Sequence, residues 1–351
     1  MLNSLANGKS RTSVSGGPMP RPYAEQLLAL TDAELARVDP AEMNLLVAKG
    51  IPSLADLEIA PYCTMLDQAA EVLQRELPGA DERFYRNPQA WKNDIRFGRL
   101  ALMCWYVDEV LGIQYREDQK HLKRVLYTDP SDLFLNGVLD SRRGTCGNMA
   151  MVHVALGWRM GWPVSLACVG SHFICRYDDG EVVHNIEATN NTGGGFTSPP
   201  DEYYLKQYQL PAKAIRCGSD LRAVTPREML GLFFGLRARH FENTGRFAEA
   251  ESDYLLARHL FPQNRHLAIS QHQVSVQRYQ YLFEPPEKGH PIELAEWLRQ
   301  VVETMGFRPQ PSALLAPQKK MEVNHANHVT VFDAFFAGPG FGQDTNRCTI
   351  K

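Results

Sequence analysis

The sequence predicts an α+β fold, and three observations carry that prediction. The first third reads as helix after helix. Three short β-rich runs then follow one central apolar helix. After Thr225 the chain returns to helix. Strands joined by tight turns pair antiparallel and bury a face, here against the helix that precedes them.

Residues 1–20 are rich in Ser, Gly and Pro and lack an apolar core segment, so they read as a disordered leader rather than a secretory signal. YAEQLLALTDAELARV carries leucines at helical spacing up to Asp39-Pro40, and PAEMNLLVAKG places Pro40 at a first helical position and Gly50 at the exit. SLADLEIAPYCTMLDQAAEVLQREL is amphipathic and is expected to stop at Pro78-Gly79. WKNDIRFGRLALMCWYVDEVLG is longer, more apolar, and closed by Gly112.

DPSDLFLNGVLDSRRG reads as a short helix or turn leading into CGNMAMVHVALGWRMG. In the latter, Met149, Val152 and Leu156 form a core-facing stripe, Trp158 and Trp162 pack the same helix, and Gly161 and Pro163 end it. VSLACVG, HFICRY and EVVHNIEAT are the three strands, with a turn at Asp178-Asp179-Gly180, and NNTGGGFTSPPD is a loop placed to act as a lid. GLFFGLRARHFENTGRFAEAESDYLLARHLFPQN reads as two helices around Gly245. Ala238, Phe241, Gly245, Ala250, Tyr254, Ala257 and Pro262 fall on the tetratricopeptide pattern of about 34 residues. One copy builds no solenoid, so the pair is expected to dock as a helical hairpin. The organisation is then a leader over 1–20, a core domain over 21–217, the hairpin over 218–283, and an extension over 284–351 with one short helix from Ile292 to Met305.

Hydrophobic residues make up 44% and charged residues 22%, with a formal net charge of -3. That balance gives no electrostatic reason to expect nucleic acid or an anionic membrane as a partner. Seven cysteines, an odd number at wide spacing with no CxxC, argue against a disulfide framework or a structural zinc. The expectation is a cytoplasmic protein with reduced thiols and no cofactor or metal. His325 and His328 lie close together without a third ligand type, and no Walker, Rossmann or zinc-protease motif is present.

Cys146 follows Arg142-Arg143-Gly144-Thr145 at the mouth of the central helix. Free N–H groups and the positive end of the dipole there favour a thiolate, and Arg142 and Arg143 either add to that or are simply solvated. A packed small residue is the competing reading of any cysteine. A nucleophilic cysteine needs a base, and the base needs an orienting group. His172 opens the second strand and Glu187 lies toward the end of the third. If the two strands form a hairpin, both residues sit at one end of the sheet, with Glu187 on one ring nitrogen and Cys146 facing the other. His153, His184 and His240 read instead as packing or surface histidines.

Residues 41–217 resemble the transglutaminase-like core of the SirB1 family. The words that carry the resemblance are AEMNLLVAKGIPSLADLEIA, RRGTCGNMAMVHVALGWRMGWPVSL, SHFICRY, HNIEATN and the DEYY of Asp201 to Tyr204, and the helical hairpin after residue 225 agrees with it. The resemblance implies a papain-like fold with Cys146 as nucleophile, His172 as base and Glu187 as acid. Gly147-Asn148-Met149 and Ser171 depart from the family pattern.

The expected chemistry is attack on an amide carbon through a thioester, ending in hydrolysis or acyl transfer. The Cys146 N–H and one further donor, Asn148 or Asn136, would hold the oxyanion. A protein or peptide carboxamide is the expected substrate. The alternative is a non-catalytic regulatory module of the SirB1 type that grips a partner protein through the helical hairpin.

Overall fold

The structure, a computed structural model, describes residues 24–119, 125–189 and 196–283. The leader, the glycine-rich stretch over 190–195, and everything from residue 284 onward lie outside the described residues. That last part includes the helix expected from Ile292 to Met305 and the histidines His325 and His328.

Two short helices come first, α1 (Glu25–Leu28) and α2 (Asp32–Leu35). Thr31 and Glu34 cap α2 reciprocally, each side chain accepting from the other's backbone N–H. Helix α3 (Pro40–Ala48) starts where Asp39 accepts from the Ala41 N–H at 2.8 Å. Helix α4 (Ala60–Arg86) runs straight through Pro78-Gly79, where the sequence suggests a stop. Pro78 and Gln74, whose carbonyl the missing N–H leaves free, are both exposed residues, so that carbonyl lies on the solvent side of the helix. The far half of α4 is also held by a two-bond ion pair from Arg99 to Asp81 at 2.9 and 2.7 Å. That arginine belongs to α5 (Ile95–Trp105), which ends in one π turn over Tyr106–Val110 before Gly112.

Strand β1 (Gln114–Tyr115) pairs in parallel with β2 (Arg143–Gly144), a two-residue ladder too short to leave a sequence signal. Helix α6 (Leu135–Ser141) lies between them in the chain. The central helix α7 (Met149–Arg159) is buried on every side from Met149 to Gly157, not along one stripe as expected. The reason is its position: it packs on β3 and β4 as well as on α3, α4, α5 and α6. A helix covered all round has no solvent face to keep polar.

Strands β3 (Val164–Val169), β4 (His172–Asp178) and β5 (Val183–Ile186) form an antiparallel sheet in that order. Helices α8 (Asp201–Gln207) and α9 (Ala212–Arg216) follow, and then a connector lies along the outer edge of β3, with the N–H of Leu221 and of Val224 donating to Cys168 and Leu166. Helices α10 (Pro226–Asn243) and α11 (Phe247–Leu260) pack as a pair around the turn at Gly245, and a third helix, α12 (Arg265–Phe283), stacks on α11. Arg237 of α10 holds Asp253 of α11 with two bonds of 2.7 Å and reaches the Val47 carbonyl of α3. One hydrophobic core extends from Ala24 to Val274, so the C-terminal helices share it with the sheet region. None of the described helices is long and apolar enough to cross a membrane.

Two positions make this packing testable. A Cβ added at Gly137 of α6 would sit 2.0 Å from the backbone oxygen of Ser131. Gly137→Ala is therefore expected to cost at least about 1–3 kcal/mol, read as a lower denaturant midpoint at unchanged slope. His153 is buried in α7, and burial pushes its pKa from 6.5 to about 4. The unfolded chain then binds a proton that the folded one refuses, so stability falls as pH drops from 6.5 toward 4. His153→Leu should flatten that part of the acid limb, and an unchanged limb would show the ring is not buried neutral.

Candidate active site

Thr145 to Asn148 form a turn immediately before α7, and Cys146 stands in it rather than inside the helix. The turn is fastened by its neighbours. The Thr145 N–H donates to Asn148 Oδ1 at 2.9 Å, and the Gly147 N–H to Thr145 Oγ1 at 3.0 Å. The Thr145 hydroxyl donates to the Asp132 carbonyl at 2.6 Å, and Asn148 Nδ2 to the carbonyls of Ser131 and Phe134 at 2.8 and 3.2 Å. Residues 131–134 thus form a cradle of backbone carbonyls under the turn. Arg116 holds that cradle by a 2.6 Å bond to Asp132. Among the described residues, the Cys146 N–H donates to none.

His172 arrives from the opposite side. Val169 and His172 are register partners, so Gly170-Ser171 is a two-residue hairpin turn. Gly170 has φ 67° while Ser171 does not have positive φ, which is the pattern of a turn with glycine at its first central position. The Gly170 N–H donates to buried Asp220 at 2.6 Å, tying the turn to the connector before α10. In the next hairpin Cys175 pairs with Ile186, which places Glu187 just past the end of β5, at the same end of the sheet as His172.

His172 Nε2 bonds both oxygens of Glu187, at 2.9 and 3.1 Å. The ring and the Cys146 sulfur lie near enough for each to shift the other's ionisation, and with Nε2 taken by Glu187 the nitrogen left to serve the sulfur is Nδ1. The sequence-derived trio is therefore brought together in the order Cys146, His172, Glu187. Of the two asparagines, Asn148 has both amide hydrogens engaged with backbone carbonyls, so its place is that of a fastener for the turn. Asn136 is buried in α6 with an unpartnered Oδ1, and no bond between described residues joins it to Cys146.

Three residues of the site escaped the sequence reading. The Tyr127 hydroxyl is 3.2 Å from Cys146 Sγ. The Tyr208 ring lies parallel to that of His172, with centroids 5.5 Å apart and planes 7° from parallel. Thr189 donates to Glu187 Oε1 from its hydroxyl at 2.7 Å and from its N–H at 3.3 Å. Thr189 had a visible cue, a hydroxyl two residues after a carboxylate in the IEAT word. Tyr127 sits on an irregular segment with no periodicity to mark it, and Tyr208 caps the C-terminus of α8, where helical spacing links it to Tyr204 and not to His172.

The charges respond to this geometry. Burial pushes the Cys146 thiol up, but the hydrogen bond and charge of His172 and the hydrogen bond from Tyr127 outweigh it, and its pKa falls below the usual thiol value. The groups that lower it are these two, not Arg142 and Arg143; Arg143 is turned to Gln114. Burial alone would lower the pKa of His172, yet the adjacent Glu187 carboxylate and the sulfur raise it well above the ordinary value. Burial would likewise raise Glu187, and His172 and Thr189 bring it below the ordinary carboxylate range. The resting state favoured by all three shifts is thiolate, imidazolium and carboxylate.

Residues 60–231 match the family model described as Transglutaminase-like superfamily. A transglutaminase-like domain is present in this chain. No curated protein and no solved structure matches it. The matched region opens at the start of α4 and ends inside α10, so it takes in Cys146, His172 and Glu187 with the cradle and the connector. The sequence resemblance begins earlier, at residue 41, and stops earlier, at residue 217. Among the described residues, no group of three or more His, Cys, Asp or Glu side chains is placed to hold a metal.

The β3–β4 turn gives a direct check on how the domain positions His172. Gly170→Ala forces a side chain onto a backbone angle that alanine rarely adopts. It is expected to lower stability by about 1 kcal/mol or more and to disturb the His172 ring, seen as a displaced imidazole signal in NMR. Ser171→Ala, one residue along and exposed, should do neither.

Proposed function

We propose that this transglutaminase-like domain is a cysteine-dependent enzyme acting on an amide carbon through a thioester. Cys146 is the nucleophile, His172 the general acid and base, and Glu187 the group that orients the imidazole and stabilises its charged form. The observation that carries the reading is the imidazole of His172 held by Glu187 beside the Cys146 sulfur, with the thiol lowered and the imidazole raised.

The Cys146 sulfur attacks the carbonyl carbon, a C–S bond forms, and the carbonyl electron pair moves onto oxygen. Collapse restores the carbonyl and breaks the C–N bond, and the proton on His172 goes to the departing amine. The thioester is then taken by water, giving an acid, or by an amine, giving a new amide. In either case His172 accepts the incoming proton. The substrate class proposed is a protein or peptide carboxamide.

The finer family reading is the SirB1 branch, supported by the RRGTC and NIEAT words and by the helical pair after residue 225. Helices α10 and α11 are read as one tetratricopeptide-type hairpin on the strength of Ala238, Phe241, Ala250, Tyr254 and Ala257, all buried between or beside them.

Iodoacetamide labelling site by site tests the enzyme reading. At about pH 6 Cys146 is expected to label at least about tenfold faster than the other cysteines, and His172→Ala to remove that advantage. Amide turnover should rise with pH through the lowered thiol pKa and fall through the raised imidazole pKa. Equal labelling of Cys146 and its siblings would sink the proposal.

A further inference from the structure

We infer that Tyr127 is the second oxyanion donor of this site, its hydroxyl acting together with the Cys146 N–H, and that helix α10 holds it in place. The inference rests on the thioester reading of Cys146. Three observations lead to it. First, the Cys146 N–H, free among the described residues, needs a companion, and the asparagine closest in sequence has no N–H left to give. Second, the Tyr127 hydroxyl stands 3.2 Å from the sulfur. In a tetrahedral adduct the oxyanion is one bond angle away from that sulfur. A donor at this distance reaches either atom without backbone movement, and a useful donor lies about 2.7–3.1 Å from the oxyanion. Third, burial and the Cys146 charge hold the phenol well above its ordinary pKa, so it keeps its proton wherever the thiolate exists.

The phenol therefore has two acceptors in succession. In the resting enzyme it donates to the thiolate sulfur. As the C–S bond forms, the sulfur loses its charge and the carbonyl oxygen gains it, and the same O–H turns to the oxygen. Its proton is never transferred. An interaction that strengthens where charge develops accelerates the step, and one that merely held the thiolate would slow it.

The placement of Tyr127 comes from outside the sheet. Its carbonyl accepts from His240 Nδ1 at 3.3 Å, and burial keeps His240 neutral, with its pKa below the ordinary value. His240 belongs to the last turn of α10. On this inference α10 is part of the catalytic apparatus.

The test separates two reactions of the same sulfur in the full chain. Iodoacetamide alkylates it by displacement at a saturated carbon and builds no oxyanion. p-Nitrophenyl acetate acylates it through a tetrahedral oxyanion. Both rates at Cys146 are measured in wild type and Tyr127→Phe across pH, up to the plateau where the thiolate is fully formed. The expected result is a plateau acylation rate lower by at least about tenfold, against the about 10²–10³ seen when a protease loses such a donor, with plateau alkylation within about threefold of wild type. Acylation that keeps step with alkylation on the plateau overturns the inference and leaves Tyr127 a tuner of the thiol only. If Tyr127→Phe loses its melting transition, His240→Ala serves instead, since it frees the carbonyl and keeps the phenol. A selective loss of acylation is again expected, and unchanged acylation overturns the inference. If wild-type Cys146 labels no faster than the other cysteines, it is the thioester reading that has failed.

Discussion

The Glu187 carboxylate is where the constraints meet. It is nearly buried, and a buried carboxylate must be given donors or take up a proton. It receives His172 and, twice, Thr189. Those bonds are made only if β4 and β5 keep their register, because a slip of one residue would turn His172 to the other face of the sheet. Removing one partner of such a buried pair typically costs about 3–5 kcal/mol, far more than its net worth as a contact. The sheet, the second hairpin and the ionisation of His172 therefore stand or fall together.

The sulfur is placed by a separate device with the same logic. A turn before a helix leaves N–H groups without partners. Here Asn148 Oδ1 takes the Thr145 N–H, the Thr145 hydroxyl takes that of Gly147 and the Thr145 carbonyl takes those of Asn148 and Met149, while carbonyls of the cradle hold the Thr145 and Asn148 side chains; among the described residues the Cys146 N–H donates to none. That arrangement requires α6 to approach the cradle with no Cβ at Gly137. Local polar bonding and close backbone packing thus leave the Cys146 N–H without an acceptor among the described residues, and the dipole of α7 adds to a field that His172 and Tyr127 dominate.

Much of this was legible in the chain, for identifiable reasons. The strands announce themselves by short β-rich runs and by Asp178-Asp179-Gly180, and their pairing puts His172 and Glu187 at one end. Cys146 is marked by its position before an apolar helix. What stayed hidden depends on contacts between segments distant in sequence. Pro78 reads as a stop because local rules ignore that α4 is held to α5 by Arg99 and Asp81. The α7 stripe reads as one-sided because sequence periodicity counts faces and not neighbours. Tyr127 lies in an irregular segment and Tyr208 at the C-cap of α8, and in neither place does a period link the residue to the site it serves. Between the two roles open to the arginines before Cys146, neither is among the groups that shift the thiol, and Arg143 is turned to Gln114.

The C-terminal helices are more than a support. The Arg237–Asp253 pair carries α11 and the end of α3 on α10, the connector before α10 lies along β3, and Asp220 in that connector holds the Gly170 N–H one turn from His172. At its other end α10 reaches the Tyr127 carbonyl through His240. Helix α10 and the connector that leads into it thus touch the supports of both the imidazole and the sulfur, from two directions. A displacement of α10, by a partner or by mutation, would be felt at His172 and at Cys146 together. Because the core is continuous across the sheet and these helices, such a displacement cannot be absorbed by a soft boundary between them. A displacement of α10 to α12 is therefore transmitted through one packed structure to the turn that holds Cys146 and to the hairpin that holds His172.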